Sequence, residues 1–153
     1  MVLDKNFREF IGLLNAHEVK YLIIGGYAVN FHGYPRFTKD IDFWVWLNRD
    51  NIHHVLNAIR AFGFGSLGLS EADFLNPKNI IQLGYEPYRI DILLELEHTN
   101  FEECYERRNQ INLDNTIIDF LGIDDLISVK KIAGRFQDLA DAENLEKLKN
   151  KKK

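Results

Sequence analysis

Residues 19–46 read VKYLIIGGYAVNFHGYPRFTKDIDFWVW and hold two strand patterns on either side of a short helical pattern. The first strand pattern is the apolar run Val19–Ile24, which ends on Gly25-Gly26, and Tyr27–Phe31 follows it as a helix. The second strand pattern, Asp40–Leu47, opens with two aspartates that alternate with apolar residues. This segment therefore predicts a strand, a glycine turn, a helix and a second strand.

The rest of the chain predicts further helices and strands around this unit. They are a helix capped by Asp4, a helix from Asn48 or Asp50, a hairpin of Ile80–Leu83 and Tyr88–Leu94, a helix over Asn100–Arg108, weaker strands at Ile111–Leu113 and Thr116–Ile118, and helices over Asp124–Lys130 and Phe136–Lys149. This order predicts a mixed α/β (α+β) class, with a small mixed sheet flanked by helices and with helices at the C-terminus. We expect one domain over residues 1–148 and a lysine-rich, solvated tail over 149–153.

Composition narrows the class of protein. The chain has 153 residues, of which 46% are hydrophobic and 27% charged, as in ordinary globular proteins. Its net charge of −4 argues against a protein that coats nucleic acid. The single cysteine, Cys104, excludes an internal disulfide and an all-cysteine zinc site. There is no signal-peptide pattern at the start and no apolar run of about 20 residues, so we expect a cytoplasmic protein without a membrane span.

Three aspartates on two predicted strands are the main candidates for chemistry. Asp40 and Asp42 are two residues apart, so a strand places them on one face, and Asp91 lies between two isoleucines on a later strand. Carboxylates grouped in this way suit Mg²⁺, which prefers hard oxygen ligands and keeps substrate phosphates as others. The simpler interpretation is that such a pair is only solvated at a strand edge.

The Gly25-Gly26 turn is the second candidate. Paired glycines allow backbone N–H groups to approach a phosphate, and the N-terminus of the next helix favours negative charge. Tight turns between a strand and a helix also use glycine for structural reasons alone, so both interpretations stay open.

These motifs resemble those of a known superfamily. Ile24-Gly25-Gly26, Asp40-Ile41-Asp42-Phe43 and Ile90-Asp91-Ile92 resemble the signature of nucleotidyltransferases with the polymerase-beta-like fold. The AbiEii-like bacterial branch is similar in finer detail, at Gly25–Val29, His32-Gly33, Arg36–Trp44, Asp125–Ile127, Lys130, Ala133–Arg135, Asp138-Leu139, Asp141 and Leu145. The resemblance extends from about Val19 to Leu145.

The resemblance implies a role for each matching position. Gly25 and Gly26 would hold nucleotide phosphates. Asp40 and Asp42 would ligate Mg²⁺, and Asp91 would complete the metal site or act as a base. The nucleotide pocket would be lined by Arg36, Thr38, Lys130 and Arg135. Gln137 departs from the pattern, because the family usually has a basic residue there. The chain is also short for AbiEii-type toxins, so we expect no additional acceptor-binding domain.

The function expected from this resemblance is Mg-dependent transfer of a nucleoside monophosphate (NMP) from a nucleoside triphosphate (NTP) to a hydroxyl of RNA, protein or a small molecule. One alternative is a toxin–antitoxin component that acts mainly by binding a protein partner. Another is a nucleotide-binding sensor without transfer.

The roles of two further kinds of residue also stay open. Arg89 would neutralise phosphate or pair with a carboxylate, and Trp44 or Trp46 would stack on a base or pack against a helix.

Overall fold

The computed structural model describes residues 3–151, where six strands form one mixed sheet flanked by helices. The helices are α1 (Lys5–Ala16), α2 (Gly25–Phe31), α3 (Arg49–Ile59), α4 (Phe101–Glu106), α5 (Ile123–Ala133) and α6 (Phe136–Lys151). The strands are β1 (Tyr21–Ile24), β2 (Ile41–Val45), β3 (Ile80–Leu83), β4 (Ile90–Leu93), β5 (Asn109–Leu113) and β6 (Thr116–Phe120). The predicted fold class is confirmed. Between residues 3 and 151, no helix has the length and apolar character needed to cross a membrane.

The strand order β3-β4-β2-β1-β6-β5 places β2 near the middle of the sheet. Strand β2 pairs with β1 in antiparallel fashion and with β4 in parallel. In this register Asp42 lies opposite Ile24 on one side and opposite Asp91 on the other. The glycine turn after β1 and the aspartates of β2 and β4 therefore meet at one edge of the sheet.

The core face of β2 anchors this arrangement. Ile41, Phe43 and Val45 are fully buried, as the alternation in the sequence predicts. The Phe43 ring packs edge-on against Phe10 of α1, with the ring centroids 5.4 Å apart. Full burial of such a side chain stabilises the fold by about 1.5–3 kcal/mol, so β2 is held firmly under the site.

On the opposite face of β2, Trp44 packs against a helix. It is 1% exposed, and its ring meets Phe101 of α4 edge-on, with the centroids 5.0 Å apart. Of the two roles open for Trp44, packing is confirmed, because a buried ring is not accessible to a base.

Several element ends differ from the predicted ones. Strand β2 begins at Ile41 rather than Asp40, because the Ile41 N–H donates the first hydrogen bond toward β4, to the carbonyl of Arg89 at 3.2 Å. Asp40 therefore lies just before the strand. Helix α6 continues to Lys151, and the Lys149 ammonium pairs with Asp124, so the first part of the predicted tail is helical. Residues 152–153 lie outside the described residues, and the division into one domain and a tail stays a prediction.

Candidate active site

An open cleft of about 810 Å³ lies where β1 ends and β2 and β4 begin, between the sheet and the two C-terminal helices. All nine predicted site residues line it: Gly25, Gly26, Arg36, Thr38, Asp40, Asp42, Asp91, Lys130 and Arg135. Its volume falls within the range of about 300–1,000 Å³ that is usual for small-molecule sites. The fold thus brings the nine residues together, while their roles stay predictions.

The glycine turn packs directly on two other site residues. Gly25 has a φ of +69°, which side-chain-bearing residues rarely adopt, and a Cβ there would overlap the Asp42 carboxylate. A Cβ on Gly26 would lie 2.7 Å from Oγ1 of Thr38. Glycine is therefore required at both positions by the close approach of the turn to Asp42 and Thr38. The same close approach leaves backbone groups of the turn at the cleft surface.

The three aspartates form a crowded anionic cluster. Asp42 and Asp91 are direct partners in the parallel pair of β2 and β4, and Asp40 precedes β2. The pKa of Asp42 is raised to about 7, first by burial and then by the charges of Asp91 and Asp40. Burial also raises the pKa of Asp40, against the opposing effect of Arg89. Both shifts mean that the ionised carboxylates lack sufficient positive charge around them.

Arg89 supplies part of that charge. Its Nε and Nη2 donate to the two Asp91 oxygens at 2.8 and 3.1 Å, and Nη2 also lies 3.0 Å from Oδ2 of Asp40. The ion-pair interpretation of Arg89 is confirmed. Such bidentate, charge-assisted pairs are the stronger kind, so Arg89 occupies the oxygens that a metal ion would use.

The donor set fits a hard divalent cation such as Mg²⁺. Oδ1 of Asp40 is buried and has no hydrogen-bond partner among the described residues, an arrangement that costs free energy unless a cation binds there. In residues 3–151, however, no three His, Cys, Asp or Glu side chains are grouped closely enough to hold an ion together. An ion that takes Asp91 as a ligand would compete with Arg89 for the Asp91 oxygens.

A network of cations and buried acids forms the opposite wall. Arg36 Nη1 lies 2.6 Å from Oδ2 of Asp141, and Lys130 Nζ lies 3.1 Å from the same oxygen. Arg135 Nε lies 2.7 Å from Oδ2 of Asp138. Asp138 and Asp141 are 2% and 0% exposed, so both carboxylates depend on these partners. Burial would raise the pKa of Asp138, but the Arg135 and Lys130 pairs outweigh burial and hold it below its ordinary value.

The sequence did not predict that Asp138 and Asp141 would be the buried partners of these cations. They were noted only as positions that match the family pattern. The available signal was their spacing of three residues on a helix, which places both on the face turned toward Lys130. Gln137, where a basic residue was expected, donates to Oδ1 of Asp141 at 2.9 Å and also lines the cleft. Gln137 thus places a neutral hydrogen-bond donor in this network, where the family usually has a cation.

Comparison with known proteins identifies solved structures with a similar fold. No family model matches the sequence, and no curated protein matches it. One similar solved structure is the lincomycin-bound lincosamide antibiotic adenylyltransferase LnuA, with 15% identity, a TM-score of 0.57 and coverage of 96% of this chain and 98% of that chain. Another is an antigenic nucleotidyltransferase-like protein from Paracoccidioides brasiliensis, with 12% identity, a TM-score of 0.52 and coverage of 94% and 77%. The chain therefore has a nucleotidyltransferase fold, while the AbiEii-like branch stays a prediction.

Proposed function

We propose that this protein is a nucleotidyltransferase that moves an NMP from an NTP to the hydroxyl of an acceptor. The observation that carries the proposal is the direct pairing of Asp42 with Asp91 beside the Gly25-Gly26 turn, within one cleft. Its support from the comparisons is the fold, which this chain shares along nearly its whole length with an adenylyltransferase.

The nucleotide phosphates would lie between the glycine turn and the cationic wall. Backbone N–H groups of Gly25 and Gly26 and the Thr38 hydroxyl would donate to phosphate oxygens on one side. Arg36, Lys130 and Arg135 would neutralise phosphate charge on the other. Because Asp138 and Asp141 already hold these cations in place, less side-chain entropy is lost when the nucleotide binds.

Asp40 and Asp42 would hold the Mg²⁺ that carries the nucleotide, and Asp91 would ligate a second ion or act as the base, once Arg89 moves away from Asp91. The ion, when bound, neutralises charge on the phosphates and stabilises the leaving pyrophosphate. Asp91 comes from a different strand than the other two, and its carboxylate is the candidate to accept the proton of the acceptor hydroxyl.

Transfer exchanges one bond at the α-phosphorus for another. The acceptor oxygen forms a bond to the α-phosphorus, and the bond from that phosphorus to the oxygen bridging to the β-phosphate breaks. Pyrophosphate leaves with the bridging oxygen, and the hydroxyl proton passes to Asp91 and then to water. Positive charge from Lys130 and Arg135 would stabilise the charge that develops, which is usually the largest contribution to this chemistry.

The test is incubation with each α-labelled NTP, Mg²⁺ and a cell extract, followed by separation of labelled products. We expect a labelled product with the wild type and none with Asp42→Asn. A matched control is Asp114→Asn, since Asp114 is an exposed acid that pairs with Arg8 away from the cleft. Absence of label transfer with every NTP would contradict the proposal. Within residues 3–151, no observation favours the partner-binding toxin–antitoxin role or the nucleotide sensor over transfer.

A further inference from the structure

The same cleft has an apolar wall that the chemistry proposed above does not use. On β4, Leu93 follows Asp91 by two residues and so shares its face, and Ile80 of β3 is the direct partner of Leu93. Leu96 continues this surface beyond β4, and Val129 and Ala133 face it from α5, four residues apart on one side of the helix. We refer to Ile80, Leu93, Leu96, Val129 and Ala133 as the apolar wall.

The order of the strands separates the apolar wall from the glycine turn. Because the sheet runs β3-β4-β2-β1, the aspartates of β4 and β2 lie between the apolar residues of β3 and β4 and the turn after β1. At about 4.8 Å per strand, β3 and β1 are about 14 Å apart. A nucleotide whose phosphates lie at the turn therefore leaves the apolar wall free for a second molecule, on the far side of the carboxylates.

The surface of the apolar wall is accessible. Ile80 is 54% exposed, and Phe37, another lining residue of the cleft, is 84% exposed. Apolar side chains left open within a concave site commonly mark a surface that a ligand covers, and each Å² covered contributes about 25 cal/mol. The wall therefore favours a molecule with an apolar part.

The charges around the cleft argue against a polyanionic acceptor. Of the four cations within residues 3–151 that line the cleft, Arg36, Lys130 and Arg135 each pair with a buried carboxylate of α6, and the fourth, Lys39, does not by itself form a basic track that leads out of the cleft. The chain as a whole carries a net charge of −4. RNA binding depends on unpaired basic residues that replace the counterions of the phosphates.

We propose that the apolar wall is the acceptor subsite, and that the acceptor is a small hydroxyl-bearing molecule with an apolar part. This inference rests on the proposed function. The acceptor hydroxyl would lose its proton to Asp91 as its oxygen bonds to the α-phosphorus and pyrophosphate leaves, while the apolar part lies on Leu93 and Ile80. LnuA, which shares the fold, is an adenylyltransferase of lincosamide antibiotics, which are also small molecules.

The first experiment compares two glucosides that differ only in their alkyl chain. Octyl β-glucoside, kept below its micelle concentration, and methyl β-glucoside are titrated into the full-length protein by calorimetry. We expect octyl glucoside to bind at least about tenfold more tightly, because each buried CH₂ contributes about 0.8 kcal/mol and about 1.4 kcal/mol is tenfold. Equal affinity for the two glucosides would overturn the inference.

Variants locate the binding. Ile80→Gln and Val129→Gln each replace one apolar-wall side chain, and we expect each to weaken octyl glucoside binding by about tenfold. The matched control is Leu75→Gln, because Leu75 is 76% exposed and does not line the cleft. Ile80 is half exposed, so its substitution is compatible with folding even if Val129→Gln is not. Equal losses in the Ile80 and Leu75 variants would place the glucoside elsewhere and overturn the inference.

The last measurement separates the inference from the proposed function. NTP binding with Mg²⁺ and with EDTA is measured on the same preparations, and label transfer is compared with octyl glucoside, bulk tRNA and bulk protein as acceptors. We expect label on the glucoside, reduced by Ile80→Gln. Metal-dependent NTP binding with label found only on tRNA or protein would overturn the acceptor inference alone. Metal-independent NTP binding, or none, would overturn the proposed function.

Discussion

The Arg89 guanidinium binds both carboxylate oxygens of Asp91, at 2.8 and 3.1 Å. Arg89 lies just before β4, two residues from Asp91, and it also lies 3.0 Å from Asp40. The protein thus supplies its own cation to the carboxylates that would bind Mg²⁺. Metal binding and release of Arg89 from Asp91 are therefore coupled in the proposed site.

The first prediction concerns this coupling. Arg89→Gln should lower thermal stability in EDTA, because the carboxylates of Asp91 and Asp40 lose their cation. The same variant should gain more stability from Mg²⁺ than the wild type gains, because the ion no longer competes with the guanidinium. The measurement is the shift in Tm between EDTA and Mg²⁺ at pH 8. Arg49→Gln serves as the control, since Arg49 is 81% exposed and pairs with Glu71. A smaller Mg²⁺ shift in the Arg89 variant than in the wild type would contradict the coupling.

A second prediction follows from the raised pKa of Asp42, which is about 7 in the folded protein against an ordinary value of 3.8. Because the folded state binds this proton more tightly than the unfolded state, the contribution of Asp42 to stability is full below about pH 4 and is lost as the pH rises through about 7. Asp42→Asn removes the titrating group. In EDTA at pH 8 the variant should therefore be more stable than the wild type, by at most about 4 kcal/mol.

The measurement for Asp42 is urea unfolding of both proteins in EDTA between pH 4 and pH 8. The difference in the free energy of unfolding should shrink as the pH falls. A difference that stays constant over this range would show that Asp42 has no raised pKa in the folded state.

A third prediction concerns the contact between Gly26 and Thr38. A Cβ at position 26 would lie 2.7 Å from Oγ1 and 2.9 Å from Cβ of Thr38, so Gly26→Ala should destabilise the fold by about 1–3 kcal/mol. It should also weaken NTP binding, because it fills space at the cleft surface. In the Thr38→Gly background the stability cost of Gly26→Ala should largely disappear, since the clashing side chain is absent. Additive stability losses in this double-mutant cycle would show that there is no steric clash between positions 26 and 38.

The sequence predicted the part of the site that depends on local pattern. Alternation of Asp40 and Asp42 with apolar residues, and the isoleucines around Asp91, indicated which face each strand presents. The register that makes Asp42 and Asp91 direct partners is a non-local property, which a strand pattern alone does not specify. A shared site for both acids was nevertheless expected, because apolar neighbours flank Asp91 on a predicted strand and the motifs resemble those of a known superfamily.

Other features of the site depend on tertiary packing. Asp138 and Asp141 are buried acids only because α6 lies against the cations of α5 and the loop before β2. Leu93 and Ile80 looked like ordinary strand residues in the sequence, and only the placement of α5 makes them one wall of the cleft. Burial of one face of a strand can be predicted from periodicity, whereas the position of a helix over the other face cannot.

The fourth prediction separates the roles of the carboxylates. Asp91→Asn should leave NTP binding near that of the wild type and lower transfer by roughly two orders of magnitude or more, because a general base contributes about 10²–10⁴-fold. Both quantities are measured on one preparation, with circular dichroism as the folding check. Transfer that survives in this variant would assign Asp91 a structural role and require another base.

The central claim is that the cleft binds an NTP through a divalent cation held by Asp40 and Asp42. Calorimetric titration with ATP, GTP, CTP and UTP, in Mg²⁺ and then in EDTA, tests it most directly. We predict that at least one nucleotide binds in Mg²⁺, that its affinity falls by about tenfold or more in EDTA, and that Asp42→Asn removes this difference while Asp114→Asn keeps it. Equal affinities in Mg²⁺ and EDTA for every nucleotide would contradict the claim.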